Sequence, residues 1–549
     1  MSKCKNCNQE FTITATDRQY YLKIGVPEPT WCPDCRLWRK MVWRNFSRLY
    51  QRKSSLSGQN IISEYSDDKE LVVYSVPEWQ NDNFDPLTYG RDFDFSRPFF
   101  QQWAELFHTT PLPAAFNDKT ENCEYNLKVA TSKNCYYSYS IHRSEDVYYS
   151  LRTNKAFRCF DSSYIFSESD CMYQSHYCHN CSFSSNLYWG KGCSDCHYCV
   201  DCSGCQSCLF CNNLRNQHYC IFNKQVSQEQ FEQEKAKLIN GSYEQHLKNL
   251  EIFKKEVYSK AIFTVRKVSC ENCQGDSLTN CANLKNSFNV GNVTDGANLY
   301  EMSPWKGNHD SMDIYIGGVG ELMYECSAYS GNSYDAQFCL NGRDASFLRY
   351  CFHCFHSQYC FGCISLKGNK FCILNKQYSE DEYPKMVAKI KDHMIKTGEY
   401  GEFFPPELSP FGYNETTAND QFPMTKDEVL ARGLKWKEKD LREYLPATHK
   451  LSDNIKDTPD MVMSAILACE LCGKNYKIIK PELDFHRQFN YALPRHCPGC
   501  RLNDLRQYQR ELRLYSRECV KCGTKVDISI PSGRPEKIYC EECYQKEIY

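Results

Sequence analysis

A chain of 549 residues with 36 cysteines, 66 basic and 68 acidic side chains is long enough for three or four domains, and too evenly charged for its whole surface to grip a polyanion. No run approaches the roughly twenty apolar residues of a membrane span, and the opening MSKCKNCNQEF lacks the apolar core of an export signal. The expectation is a cytoplasmic protein without membrane contact, in which CxxC pairs are read first as zinc knuckles and not as disulfides.

Residues 1–53 open with KCKNC and WCPDCR, so Cys4, Cys7, Cys32 and Cys35 form two knuckles separated by 24 residues, enough thiolates for one closed tetrahedral zinc site. The second knuckle leads into RLWRKMVWRNFSRLYQRK, read as a helix, and the whole as a treble clef. Residues 461–515 repeat the layout: Cys469, Cys472, Cys497 and Cys500 lie 465 positions after the first set. Residues 516–549 add a zinc ribbon with Cys519, Cys522, Cys540 and Cys543. Moved back by 465, those four fall on Ser54, Ser57, Ser75 and Glu78, so residues 54–80 are expected to be a ribbon that persists without metal, held by Ile61, Ile62, Val72, Val73 and Trp79. Three structural Zn2+ sites are expected in all.

Residues 81–118 read as a connecting helix and linker, with Phe99, Phe100, Trp103, Leu106 and Phe107 at helical spacing for docking. From 119 to 227 the chain falls into blocks of about twelve residues whose second position is Cys123, Cys135, Val147, Cys159, Cys171, Cys181, Cys193 and Cys205. The capping box Ser227/Gln230 opens a helix assigned to 228–262. A second repeat region, 263–379, follows, interrupted around Trp305. At an offset of 152, Cys199, Cys202, Cys208, Cys211 and Cys220 meet Cys351, Cys354, Cys360, Cys363 and Cys372. Residues 380–460 read as a helix, opened by Ser379 and Glu382, and a Pro-rich linker with a short helix near Lys426–Arg432.

Such self-similarity predicts a solenoid, in which each block buries a face on its neighbours. Val147 occupies the slot of Cys135 and Cys159, which a required thiolate would not allow, so the ladder cysteines are read as small inward core residues. A thiolate cluster at Cys193 to Cys211, joined by Cys220 and by His176, His179, His197, His353 or His356, is the competing reading. The fold class is thus multidomain and β-rich: two β-solenoid-like domains flanked by treble-clef and zinc-ribbon modules and connecting helices.

Basic residues recur after both second knuckles: Arg36, Lys40, Arg44, Arg48 and Arg52, then Arg501, Arg506, Arg510, Arg513 and Arg517. On one helix face they would contact phosphates or an acidic protein, with aromatics stacking on bases; otherwise they form a solvated face.

The motifs CKNC…CPDCR, YGRDFDFSRPFF, CIFNKQ, CILNKQ, PFGYNETTA and CELC…CPGCR give nearly the whole chain a pattern that resembles a group of cysteine-rich zinc-ribbon and treble-clef proteins with internal Cys/Tyr repeats. That group is found mainly in small-genome bacteria and has no established activity. The resemblance implies fold and zinc binding, and it implies cysteines where this chain has Ser54, Ser57, Ser75 and Glu78.

No phosphate-binding loop, dinucleotide fingerprint, HExxH or nucleophile motif occurs, and no catalytic residue is assigned. The leading expectation is a zinc-binding, non-enzymatic protein whose basic helices contact nucleic acid or an acidic partner. Alternatives are a structural or assembly scaffold, in which zinc only stabilises the fold and self-association is expected, and a thiol-rich metal-handling or redox protein.

Overall fold

The computed structural model describes residues 1–45, 47–302, 308–329, 331–439 and 443–549. They form two compact units, each discontinuous in sequence: Met1–Ala115 with Val265–Glu438 and Glu511–Leu514, and Phe116–Thr264 with Lys439–Arg510 and Tyr515–Tyr549. The N-terminal cysteine module therefore shares a unit with the second repeat region, and the C-terminal modules share one with the first.

Each repeat region is a twelve-stranded, largely parallel sheet. Residues pair with those twelve positions on, as in Val147 with Cys159, Cys196 with Cys208, Cys208 with Cys220 and Cys360 with Cys372. The register slips in places, to Val268 with Thr279 and to Val293 with Asn308. The interruption around Trp305 lies outside the described residues. Both sheets end in an antiparallel return, Lys224–Gln225 and Lys376–Gln377, written by the duplicated NKQ.

The backbone has a period of three inside the period of twelve. Asn122, Tyr125, Lys128, Thr131, Asn134, Tyr137 and Ser140 all have φ between 48° and 61°, and the pattern continues along both regions. Two extended residues and one left-handed residue make each triplet, which is why Asn and Asp, the non-glycine residues that best tolerate this conformation, crowd these positions. From Lys128 to Tyr149 in the first region the residue after each left-handed one is buried: Val129, Ser132, Cys135, Ser138, Ile141, Ser144, Val147 and Ser150 run in unbroken succession.

Serine and cysteine alternate there because they do the same work. Ser138 Oγ donates to the carbonyls of Tyr136 (3.0 Å) and Val147 (3.1 Å). Cys196 Sγ donates to those of Ser194 (3.4 Å) and Cys205 (3.6 Å), again two residues back and nine on. Both side chains are small and satisfy buried carbonyl lone pairs that an alanine would leave with one partner fewer.

The helix Phe99–Thr109 buries the predicted stripe Phe99, Phe100, Trp103, Leu106 and Phe107 in a core that includes Phe352, Phe361 and Ile364 of the second sheet. No side chain of its own caps it; the Glu399 carboxylate accepts from the amides of Phe99 and Phe100, both at 2.8 Å. Two assignments differ from the sequence reading. The stretch 228–262 is broken at Gly241 (φ +87°) into helices Gln228–Leu238 and Tyr243–Ile252, followed by a wider turn, Phe253–Tyr258. The Pro-rich stretch after 400 is no loose linker up to Glu438, because Phe403, Phe404, Phe411 and Tyr413 are buried in their unit.

Candidate metal centres

Each cysteine module is built on one backbone turn. Cys4 accepts at its carbonyl from the amide of Asn8 and donates its own amide to Gln9. Cys469 with Gly473 and Lys474, and Cys519 with Gly523 and Thr524, do the same at 2.8–2.9 Å. The residue after the second cysteine is left-handed in all three: Asn8 (62°), Gly473 (73°) and Gly523 (74°). The second pair of each set starts a helix, with Cys32, Cys497 and Cys540 at the N-cap and Cys35, Cys500 and Cys543 three residues on.

This geometry brings four sulfurs together three times: Cys4, Cys7, Cys32 and Cys35; Cys469, Cys472, Cys497 and Cys500; Cys519, Cys522, Cys540 and Cys543, each set within 4.8 Å. Sulfurs 2.3 Å from a tetrahedral zinc stand about 3.8 Å apart. Cys7 and Cys32 are 3.7 Å apart, Cys472 and Cys497 3.6 Å, and Cys522 and Cys540 3.7 Å, too far for disulfides and right for the edges of such a tetrahedron. Hydrogen bonding with Cys35 draws the Cys32 thiol down to about 5 against the cost of its burial, while the same pairing pushes Cys35 up. The chain thus carries three Cys4 sets suited to structural zinc, and the ion would fix each helix start against its knuckle.

The fourth knuckle keeps the fold and changes the chemistry. Ser54 repeats the turn, donating its amide to Gln59 (2.8 Å) and accepting from Gly58 (3.0 Å), which is left-handed at 73°. Ser75 caps the helix Val76–Gln80, and Glu78 at its third position closes a reciprocal capping box. The Glu78 carboxylate also accepts from Ser54 Oγ at 2.5 Å. Although burial works against it, hydrogen bonds from Ser54, Ser57 and Ser75 hold this carboxyl at about 2. One carboxylate among three serines stands where the metal and its thiolates would be. Val73 and Trp79 are buried beside it, and Ile61, Ile62 and Val72 half-buried.

Among the described residues no ladder cysteine joins a set with metal-ligand spacing. The cysteines from Cys193 to Cys211 are all buried, their sulfurs donating to carbonyls, as Cys199 does to His197 and Cys208. His176 and His197 are likewise buried and bonded to Ser163 and Ser185. One cluster that the sequence did not suggest, His309, Asp310 and Glu321, is half-exposed, and Lys23 already lies 3.0 Å from Asp310.

The basic residues do not line up on one exposed helix face. The helices end at Val42 and Arg506, so Arg44, Arg48 and Arg52, like Arg510, Arg513 and Arg517, lie beyond them. Arg36, Lys40, Arg44, Arg52, Arg501 and Arg510 are buried. Arg36 Nε is 3.0 Å from Asp313 and 3.4 Å from Glu325; Lys40 reaches Glu325 at 2.9 Å. Arg501 is 2.9 Å from Asp161 and 2.7 Å from Glu482, with its guanidinium 4.0 Å from the centre of the Tyr149 ring.

These pairs are copies of each other. Arg36 and Arg501 differ by 465, and Asp161 and Asp313 by 152, the offsets of the two duplications. Burial pushes Asp161 up to about 7 and raises Asp313 as well, in each case against the pull of its arginine. Arg52 and Arg517 are copies too: Arg52 donates to the carbonyls of Ser66 and Leu71, and Arg517 to those of Pro531 and Glu536, each bracing its ribbon. Arg510 donates to Thr264 and lies over Trp189, and Arg513 lies over Phe422. Only Arg48 is exposed; Arg506, Arg513 and Arg517 are half-buried.

No helix of the described residues is long and apolar enough to cross a membrane. No curated protein and no solved structure matches the chain. Residues 1–42 match a family described as a probable treble clef domain, which agrees with the first Cys4 set and the helix that follows it.

Proposed function

We propose that this chain is a cytoplasmic, non-enzymatic scaffold. Its two sheets are solenoid-like stacks of twelve-residue turns, each fastened to a treble-clef and ribbon module. The observation that carries the reading is the duplicated buried pair, Arg36 with Asp313 and Arg501 with Asp161, because cations that a polyanion would need in solvent are spent inside the units. Zinc acts one step earlier. The helix that aims Arg36 begins at Cys32 and Cys35, and the helix of Arg501 at Cys497 and Cys500, so the metal sets the direction of the lock.

The test is metal content together with polyanion titration on reduced protein. Zinc near three per chain, with no salt-sensitive affinity for single-stranded RNA or duplex DNA, fits the scaffold. Salt-sensitive binding abolished by Arg48→Glu with Arg506→Glu would replace it with the nucleic-acid reading.

A further inference from the structure

The ladder cysteines differ in one respect that the scaffold reading does not use. Almost all are buried, but those nearest the start of each sheet are not: Cys123 in the first, and Cys270 and Cys273 in the second, are partly exposed. In both sheets the partly exposed first thiol stands over a buried one in the next block. Asn134 N donates to Glu121 O and Glu124 N to Cys135 O, which puts Cys123 in register with Cys135. Asn280 N to Val268 O and Glu271 N to Cys281 O do the same for Cys270 and Cys281. The two arrangements arise on different sequences, NCEYN and SCENC.

We infer that these first-turn pairs, Cys123 with Cys135 and Cys270 with Cys281, are oxidation sites for a hydroperoxide, which converts each to a disulfide stapling the outermost turn to the next. Paired neighbours on adjacent parallel strands have Cα atoms about 4.8 Å apart, inside the range a disulfide spans. Their side chains point the same way, so closing the bond requires a small inward shift of one strand. An outermost turn, with a sheet neighbour on one side only, can make that shift. Interior pairs such as Cys196 and Cys208 are held from both sides and shielded from the oxidant.

The step balances. The Cys123 thiolate attacks a peroxide oxygen, the O–O bond breaks, and the departing hydroxide leaves as water with the proton of the Cys123 thiol, giving a sulfenic acid. The Cys135 sulfur then attacks the Cys123 sulfur, S–S forms as S–O breaks, and the second hydroxide leaves as water with the Cys135 proton. Two thiols lose two electrons and peroxide gains them. Hydrogen bonding with Cys135 draws the Cys123 thiol down to about 7, which supplies the nucleophile, and Cys135 is pushed up, as suits the group that keeps its proton until the second step.

The experiment treats zinc-loaded, full-length protein with a small excess of hydrogen peroxide, then alkylates and maps peptides over time, with zinc release followed in parallel. The expected result is a Cys123–Cys135 and a Cys270–Cys281 crosslink appearing at least tenfold faster than any modification of Cys196 or Cys208, and before zinc is lost. Cys135→Ser should accumulate sulfenic acid at Cys123, and Cys123→Ser should leave Cys135 reduced. Equal reactivity of Cys123 and Cys196, prior loss of zinc, or a Cys270–Cys273 bond in place of Cys270–Cys281 would overturn the assignment.

Discussion

Arg36→Met tests most directly whether the duplicated basic residues fasten the modules or face a partner. Asp313 is fully buried, and Arg36 Nε at 3.0 Å is the cation that compensates it at contact distance, with Lys40 adding its charge. Removing one member of a buried pair leaves the other uncompensated and costs about 3–5 kcal/mol, whereas replacing both with apolar groups of similar size is often neutral. Arg36→Met should therefore lower stability by about that amount, and Arg36→Met with Asp313→Leu should recover most of it. At a urea m-value of about 3 kcal/mol/M the single substitution moves the midpoint by roughly 1 to 1.7 M. Trp31, Trp38, Trp43 and Trp103 lie in the affected unit and report its melting by fluorescence. Zinc content should stay unchanged, since Arg36 binds no metal. A single variant that melts like the parent, or a double variant no better than the single, would refute the lock. Arg501→Met with Asp161→Leu repeats the test in the other unit.

Restoring cysteine at Ser54, Ser57, Ser75 and Glu78 together should raise zinc by one per chain in elemental analysis, because the knuckle turn and the helix start are already in place. Acid should destabilise the unit containing His176, His246 and His486, whose burial depresses them to about 3, 4 and 3. Below pH 6.5 the unfolded chain takes up these three protons and the folded chain does not, so stability present above 6.5 is lost as pH falls. Asp161, raised to about 7, opposes this by one proton, and the net slope is about two protons, roughly 3 kcal/mol per pH unit, between roughly pH 6 and 4.5 in urea melts. His246→Gln should flatten that slope by about one proton. Cys196→Ser should retain all zinc and lose only about 1 kcal/mol in a melt, since the hydroxyl inherits the donor role seen at Ser138, whereas Cys35→Ser should lose one zinc.

The metal ligands were legible because CxxC spacing is dictated by the local turn that builds the site, and a local turn is written in adjacent residues. The twelve-residue period was legible for a related reason: Val147 in a cysteine slot already argued for core over ligand. What sequence spacing could not convey was direction. Arg36 and Lys40 look like an exposed stripe until Asp313 and Glu325, far along the chain, are seen to face them. Asp161 and Asp313 lie 152 apart, the offset that already aligned Cys208 with Cys360, so the acidic partner was within reach of the same comparison. Nothing local marks Glu482 or Glu325 as partners, and nothing in the order of the segments says that the first module belongs with the second sheet. The period of three was visible only as cysteine spacing, because the Asn and Asp that crowd the left-handed positions share them with Tyr, Ser and Lys and so mark only some of the triplets.

The crossed pairing of modules and sheets sets a schedule for synthesis. The first zinc helix is complete by Val42, but Glu325, which takes both Arg39 and Lys40, is made nearly three hundred residues later. At 5–20 residues per second that is about 15 to 60 s during which the module has no sheet to close on. The C-terminal module meets the reverse situation, emerging when Asp161 has long been in place. One half of the molecule must wait with its cations bare, and the other can close as soon as it is made.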